Sequence, residues 1–274
     1  MNTILSHSGN MGDLFYAFPF IEELSEKIKS SITLHIHTNV RNPNFILKDI
    51  HPNGDVGFTK KNVDFMLPLL KKIPFIKKVT YGDELPAEAE AKILDLSVFR
   101  KLPLNFQAGD IQEWYYNLVG EHLPQDFSKQ RISVEPDYMF RDKILIVNSV
   151  RYNNVFLDLK ALEDFKDKLV FVGLESEHKE FEKKAFNVSF FKVQDALHFA
   201  RILRGSRGIV SNQNGLFSIA EQMKIPRVLM SVEYMRAKDN LFPGPHNVIL
   251  NGGWHETAQI TQKLKSAVQN LLDK

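Results

Sequence analysis

Apolar positions in this chain follow two periods that alternate along its length. A short strand-like run, Thr3-Ile4-Leu5, precedes Leu14-Phe15-Ala17-Phe18-Phe20-Ile21-Leu24, whose helical spacing predicts a helix over about 13–29. ITLHIH (32–37) alternates and is β-branched, which predicts a strand. VDFMLPLLKKIPFIKKV (63–79) predicts a helix containing Pro68, with a strand near 77–80. AKILDLS (91–97) predicts a strand and IQEWYYNLVGEHL (111–123) a helix. Residues 124–140 then carry two prolines and little periodicity, which marks a boundary.

Beyond it the rhythm restarts. KILIVNSV (143–150), KLVFVGL (168–174), VSFFKV (188–193), GIVSN (208–212) and PRVLMSV (226–232) predict strands. LKALEDFKD (159–167), EHKEFEKKAF (177–186), ALHFARILRGS (196–206) and GLFSIAEQMK (215–224) predict the helices between them, and 256–273 reads as an amphipathic helix. Strands alternating with helices imply parallel sheets covered on both faces. The expectation is an α/β protein of two similar doubly wound domains facing a cleft. They are residues 1–135 and 140–255, with a last helix, 256–274, packing back towards the first domain.

Composition narrows the function. Of 274 residues 43% are hydrophobic and 25% charged, ordinary for a soluble globular chain. The absence of cysteine excludes disulfides, a thiolate zinc site and a cysteine nucleophile, and fits a reducing cytoplasm. MNTILSHSGN has no basic segment followed by an apolar one, and no run of 18 apolar residues occurs, so neither a signal peptide nor a membrane span is expected. A net charge of +2 gives no argument for bulk nucleic-acid binding. Charge is uneven, however: 15 Lys+Arg against 18 Asp+Glu through Tyr138, and 20 against 15 after it. The second half is therefore the better host for a diphosphate.

Candidate chemistry falls at the strand-to-helix turns, where open α/β sheets bind ligands. HSGNMGD (7–13) places Gly9, Asn10, Gly12 and Asp13 at the first such turn. The glycines permit a tight turn, and Asp13 reads either as an acid stabilised by the helix dipole or as a general base. The stretch is not G-x-G-x-x-G, so the nicotinamide fingerprint is absent. In the second half, Asn212-Gln213-Asn214-Gly215 join a strand to a helix whose free amides suit a phosphate, with Gly215 letting a ligand approach the backbone. NSVRYNN (148–154) offers the planar fork of Arg151, the ring of Tyr152, and Asn153. VGLESEH (172–178) offers Gly173, and Glu175 as an acceptor for ribose hydroxyls. Each turn also has a plain reading, as a helix cap or a solvated loop. Parallel strands would bring the three second-half turns to one sheet edge.

Bland readings hold for several other groups. His35 and His37 share a strand face but lack further ligands for a metal. His198 reads as packed, and Trp114, Tyr115 and Tyr116 as core before acceptor pocket. The Lys pairs 60–61, 71–72 and 77–78 read as solvated faces; their functional reading is peripheral contact with an anionic acceptor or a membrane surface. Trp254 and His255 lie where the tail could return to the cleft.

Two segments carry a resemblance. GNMGDLFYAFPFIEEL (9–24) resembles the opening Gly-Asp-x-x-x-x-x-Pro segment of the ADP-heptose:lipopolysaccharide heptosyltransferase family, and DALHFARILRGSRGIVSNQNGLFSIAEQMKIPRVLM (195–230) resembles its nucleotide-binding segment. RYNN (151–154) and the VFVGL strand with its following acid (170–175) are similar to small predicted bacterial and phage glycosyltransferases. Gln213, Asn214-Gly215 and Ser218 stand where the family usually has Asp-Ser/Thr-Gly-x-x-His, and Arg151 is the cation nearest its usual Lys. The resemblance implies a GT-B-like fold of two Rossmann-like domains. It implies inverting transfer from a nucleotide-sugar donor to a glycan or other hydroxyl acceptor, with Asp13 as base and no cofactor. Metal independence agrees with the absence of any Asp-x-Asp pair. Two alternatives stand beside it: a nucleotide-sugar epimerase of the same architecture, and a non-catalytic nucleotide or sugar binder.

Overall fold

The computed structural model describes residues 2–30, 32–42, 49, 51, 53–87, 91–104, 110–119, 123–231, 247–250 and 256–273. The first sheet holds β1 (Thr3–His7), β2 (Ile32–His37), β3 (Ile76–Gly82) and β4 (Lys92–Asp95), all parallel, in the order β3-β2-β1-β4. Its helices are α1 (Met11–Tyr16), α2 (Phe18–Ile28) and α3 (Lys60–Leu70), with the single turn α4 (Ile111–Trp114) further on. The second sheet holds β5 (Ile144–Val147), β6 (Leu169–Val172), β7 (Ser189–Phe191), β8 (Gly208–Ser211), β9 (Arg227–Met230) and β10 (Asn247–Leu250). It too is all parallel, in the order β10-β9-β8-β5-β6-β7. Helices α5 (Glu175–Lys184), α6 (Ala196–Arg204), α7 (Gly215–Met223) and α8 (Thr257–Leu272) cover it.

These orders fix where ligands belong. In each sheet the chain starts at a central strand, winds outwards, and returns to the other side of that strand. The crevice at such a reversal lies beyond the carboxyl ends of β1 and β4 in the first sheet, and of β5 and β8 in the second. β5, β6, β8 and β9 are buried along their whole length, as the continuous apolar runs in the sequence require of strands covered on both faces.

The core is continuous across the halves. Leu145, Val147 and Val172 on the inner face of the second sheet, with Phe199 and Leu203 of α6 and Ile219 and Met223 of α7, belong to the same apolar cluster as Phe15, Phe18 and Leu34 of the first half. A separate cluster fills the outer face of the second sheet. Ile260, Leu264, Val268 and Leu271 of α8 lie in that second cluster, so the last helix packs on the second sheet and not back towards the first domain. No described helix is long and apolar enough to cross a membrane.

Other differences from the pattern are local. The helix expected over 13–29 is two helices, broken at Ala17. Pro19 sits in the first turn of α2, where it has no N–H to give and its ring would crowd the carbonyl of Phe15 in a continuous helix. α3 starts earlier than its pattern, at Lys60, because Thr59 caps it by accepting from the Asn62 amide. Residues Leu159–Lys168 form 3₁₀ turns instead of an α-helix, and α4 passes at Tyr115 into another. β10 was not legible in the apolar pattern.

Candidate functional site

The first crevice is built around His7. Its Nδ1 accepts the Gly9 amide at 2.9 Å, which leaves the proton on Nε2, where it donates to the Tyr115 hydroxyl at 3.0 Å. Tyr115 in turn donates to the backbone carbonyl of Asp13 at 2.9 Å. Burial holds the His7 pKa down to about 4, so the ring is neutral and the chain of donors has one direction. The turn is tied to its neighbour as well: the Ser8 amide donates to Ser97 Oγ at 2.8 Å, just after β4. Neither Gly9 nor Gly12 has a positive φ. The smallness of Gly9 answers to close packing instead of a sharp bend: a Cβ on it would meet His7 Cε1 at 2.6 Å and Asp13 Oδ2 at 3.0 Å.

Asp13 enters α1 as its first-turn acid and is 8% exposed. Its Oδ2 pairs with Nη2 of Arg100 at 2.7 Å. Arg100 comes from the 3₁₀ turn Leu96–Lys101 after β4, and Asp13 raises its already high pKa. Sequence reading missed Arg100, because nothing in LSVFRK announces a partner 87 residues away.

The second crevice is knitted by asparagines. Asn212 is fully buried; its Oδ1 accepts the Ser149 amide at 2.8 Å and its Nδ2 donates to the Ser149 carbonyl at 2.5 Å and to Asn153 Oδ1 at 3.3 Å. It thereby staples the turn after β8 to the turn after β5. Asn214 Oδ1 accepts the amides of Leu216 and Phe217 at 3.0 Å each, and its Nδ2 donates back to Ser211 Oγ and the Asn212 carbonyl. Both side chains are committed to partners within the protein, so a ligand here meets backbone and the side chain of Gln213. Gly215 also differs from expectation: a Cβ there would lie 2.2 Å from Met11 Cε and 3.1 Å from Met11 Cβ. Met11 of the first crevice, and not open space for a ligand, covers its Cα.

Arg151 and Tyr152 stand between the crevices. The Arg151 guanidinium lies 5.5 Å from the Tyr152 ring centre, and its Nε donates to Ser149 Oγ at 3.3 Å. Burial lowers its pKa, while Tyr152, Glu177 and Asp13 act the other way, which places acids of both halves within electrostatic reach of this one cation. His51 of the first half also feels Arg151; burial first, then that charge, holds its pKa near 4.

Two acids follow β6. Glu175 is exposed and pairs with Lys179 at 2.7 Å, one turn along α5. Glu177 is 9% exposed, accepts the Leu174 amide at 3.3 Å and interacts with Ser149 and Arg151, while burial raises its pKa. Gly173, at φ +156°, brings the backbone past Glu177 with a clearance only glycine allows easily. Asn10 stands at the N-cap of α1 without a side-chain capping bond. Gly12 faces its counterpart across the halves: a Cβ on it would sit 3.9 Å from the Gly215 Cα.

The remaining expectations resolve simply. Trp114, Tyr115 and Tyr116 are buried in the core. His35 and His37 stack edge to face at 4.6 Å, and no group of three His, Cys, Asp or Glu is placed to hold a metal among the described residues. His198 Nδ1 accepts the Gln194 amide at the start of α6. Lys60 pairs with Asp64; Lys71, Lys72, Lys77 and Lys78 are exposed at the amino edge of the first sheet, opposite the edge that carries Asp13. Trp254 and His255 lie outside the described residues.

Known structures share this fold. The chain is similar to a glycosyl transferase family 9 protein from Veillonella parvula, with a TM-score of 0.61 and 13% identity over 99% of this chain and 97% of that one. It is similar to Escherichia coli ADP-heptose LPS heptosyltransferase II, with a TM-score of 0.57 and 13% identity over 98% of each chain. It is also similar to TibC from enterotoxigenic E. coli, a dodecameric iron-containing heptosyltransferase solved with ADP-D-β-D-heptose, with a TM-score of 0.54 and 13% identity over 99% of this chain and 76% of that one. No family model matches the sequence, and no curated protein does. The architecture is therefore GT-B-like, two doubly wound Rossmann-like units, and at this identity the likeness is one of fold.

Proposed function

We propose that the protein is a glycosyltransferase that moves a sugar from a nucleotide-activated donor to an acceptor hydroxyl, with inversion and without a metal ion. The observation that carries this reading is the meeting of a held carboxylate, Asp13, and a half-buried cation, Arg151, at two sheet crevices that face each other. In this reading the unit 140–255 binds the donor and 1–135 the acceptor. Asp13 takes the proton of the acceptor hydroxyl. The oxygen's electron pair forms the new bond to the anomeric carbon, and the bond from that carbon to the diphosphate breaks, its electrons leaving on the phosphate oxygen as a nucleoside diphosphate. Arg151 and the amides around Gln213 and Gly215 stabilise the leaving charge. Tyr152 and Gly173 border the nucleotide, and Glu177 accepts from its hydroxyls in the place expected of Glu175. The cysteine-free chain suits a reducing compartment, and we place the reaction in the cytoplasm.

One observation favours a second reading, a non-catalytic nucleotide or sugar binder: Met11 covers Gly215, while Asn212 spends its side chain on the turn after β5 and Asn214 on its own turn. A panel of nucleotide sugars, ADP-D-β-D-heptose among them, scored for a rise in Tm and then for nucleoside diphosphate release with added acceptors, separates the two. Binding with release supports transfer, binding without release supports the binder, and no Tm rise with any donor overturns both.

A further inference from the structure

The two carboxylate oxygens of Asp13 are in different surroundings. Oδ2 is wedged between the Arg100 guanidinium, 2.7 Å away, and the backbone at Gly9, where an added Cβ would stand 3.0 Å from it. Among the described residues no hydrogen bond engages Oδ1. Arg100 itself is a built feature. Its guanidinium lies 4.8 Å from the ring centre of Phe99. Phe99 is fully buried, with Tyr115 at 4.5 Å and Trp114 at 6.3 Å between ring centres. The turn carrying Arg100 is pinned at its start, where Asp95 accepts the Ser97 amide at 2.8 Å and Ser97 accepts from Ser8.

An ion pair for stability alone is a weak account of this arrangement. The Arg100 side chain is 49% exposed, and a pair this open on one side contributes modestly to folding. Orientation is what a rigid platform supplies. We propose that Arg100 is a positioning residue: it clamps Oδ2 of Asp13 and leaves Oδ1 to take the acceptor proton. This rests on Asp13 being the base of the proposed transfer. In the step, the acceptor O–H bond breaks towards Oδ1 while the oxygen's electrons form the glycosidic bond and the diphosphate departs; Arg100 keeps its protons throughout. Arginine suits the task better than lysine, because a planar fork stacked on a ring has little freedom to turn.

The test uses the full chain, with ADP-D-β-D-heptose as donor probe and ADP release as readout, beside crystal structures of the variants. Arg100→Ala is expected to lower kcat about 10²-fold, the scale of a misplaced reacting group, with donor affinity within about two-fold of the parent. Free guanidinium, below denaturing concentrations, is expected to restore part of the rate to Arg100→Ala and none to Asp13→Asn. Arg100→Lys is expected to fall between parent and Arg100→Ala. The crystal structures give a readout independent of donor choice: the Asp13 carboxylate leaves its parental rotamer in Arg100→Ala and keeps it in Arg100→Lys. An unmoved carboxylate in Arg100→Ala overturns the proposal, as does a loss of rate that neither guanidinium nor lysine relieves. Full turnover in Asp13→Asn overturns the base assignment instead, whatever Arg100 does.

Discussion

The turn from β1 into α1 and the turn from β8 into α7 both leave a parallel strand at a crevice and enter a helix, yet their side chains are used differently. After β1 the fastening is done by residues from elsewhere: His7 on the strand, Tyr115 more than a hundred residues on, and Ser97 after β4. Among the described residues, the turn's own acid is left with one carboxylate oxygen unengaged. After β8 the turn's own side chains do the fastening. Asn212 and Asn214 place their amide groups on Ser149, Asn153, Ser211 and the first turn of α7. The first turn can therefore offer a side chain to chemistry, and the second mainly backbone. That difference suits a proton acceptor on one side and a phosphate on the other, and it explains why the asparagines that look most like ligand residues in sequence are structural.

On stability and binding, the sharpest break of the comparison is Asn212→Ala. It strips partners from both backbone groups of Ser149 in the interior and should cost roughly 2–5 kcal/mol, read from denaturant unfolding. A cost below about 1 kcal/mol would make the second turn no more self-fastened than the first. Next comes the pH dependence set by His7. Its folded pKa, about 4, lies below the ordinary 6.5, so between those values the unfolded chain binds a proton that the folded one does not. Stability should fall as pH drops through that window, by about 3 kcal/mol in all, with His51 acting in the same direction. His7→Asn, which can still accept the Gly9 amide, should flatten the difference in Tm between pH 7 and pH 4.5.

On the donor side, Arg151→Ala should weaken nucleotide binding by about 1.5–3 kcal/mol in calorimetry, the scale of a hydrogen bond to a charged group. Glu177→Gln should weaken it by about 1 kcal/mol. The exposed, lysine-paired Glu175→Gln should leave it unchanged. The reverse order of the two glutamates would restore the reading of Glu175 as the ribose acceptor.

Much of the architecture was legible because its causes are local. Continuous apolar runs marked β5, β6, β8 and β9, and the alternation with helices implied parallel sheets, hence turns gathered at one edge. The break at Ala17 had a signal in Pro19 that the apolar spacing overrode. Glu177 had one too: an acid in the third position of a helix reaches back to the amide before it, whereas the acid two places earlier pairs with Lys179 at the surface. Arg100 had none, since its meaning comes from the β1–β4 pairing that sets Leu96–Lys101 beside Asp13. Met11 over Gly215 is likewise a contact between halves, and no spacing within either half encodes it.

The central claim is that the first turn supplies the chemistry and the second half holds the donor. Asp13→Asn tests it most directly, because the amide keeps the shape of the side chain and loses its proton affinity. With a donor and acceptor that turn over, and with Tm showing the variant folded, the account predicts a fall in kcat of about 10²–10⁴-fold and an unchanged nucleotide Kd. Turnover equal to the parent's would contradict it.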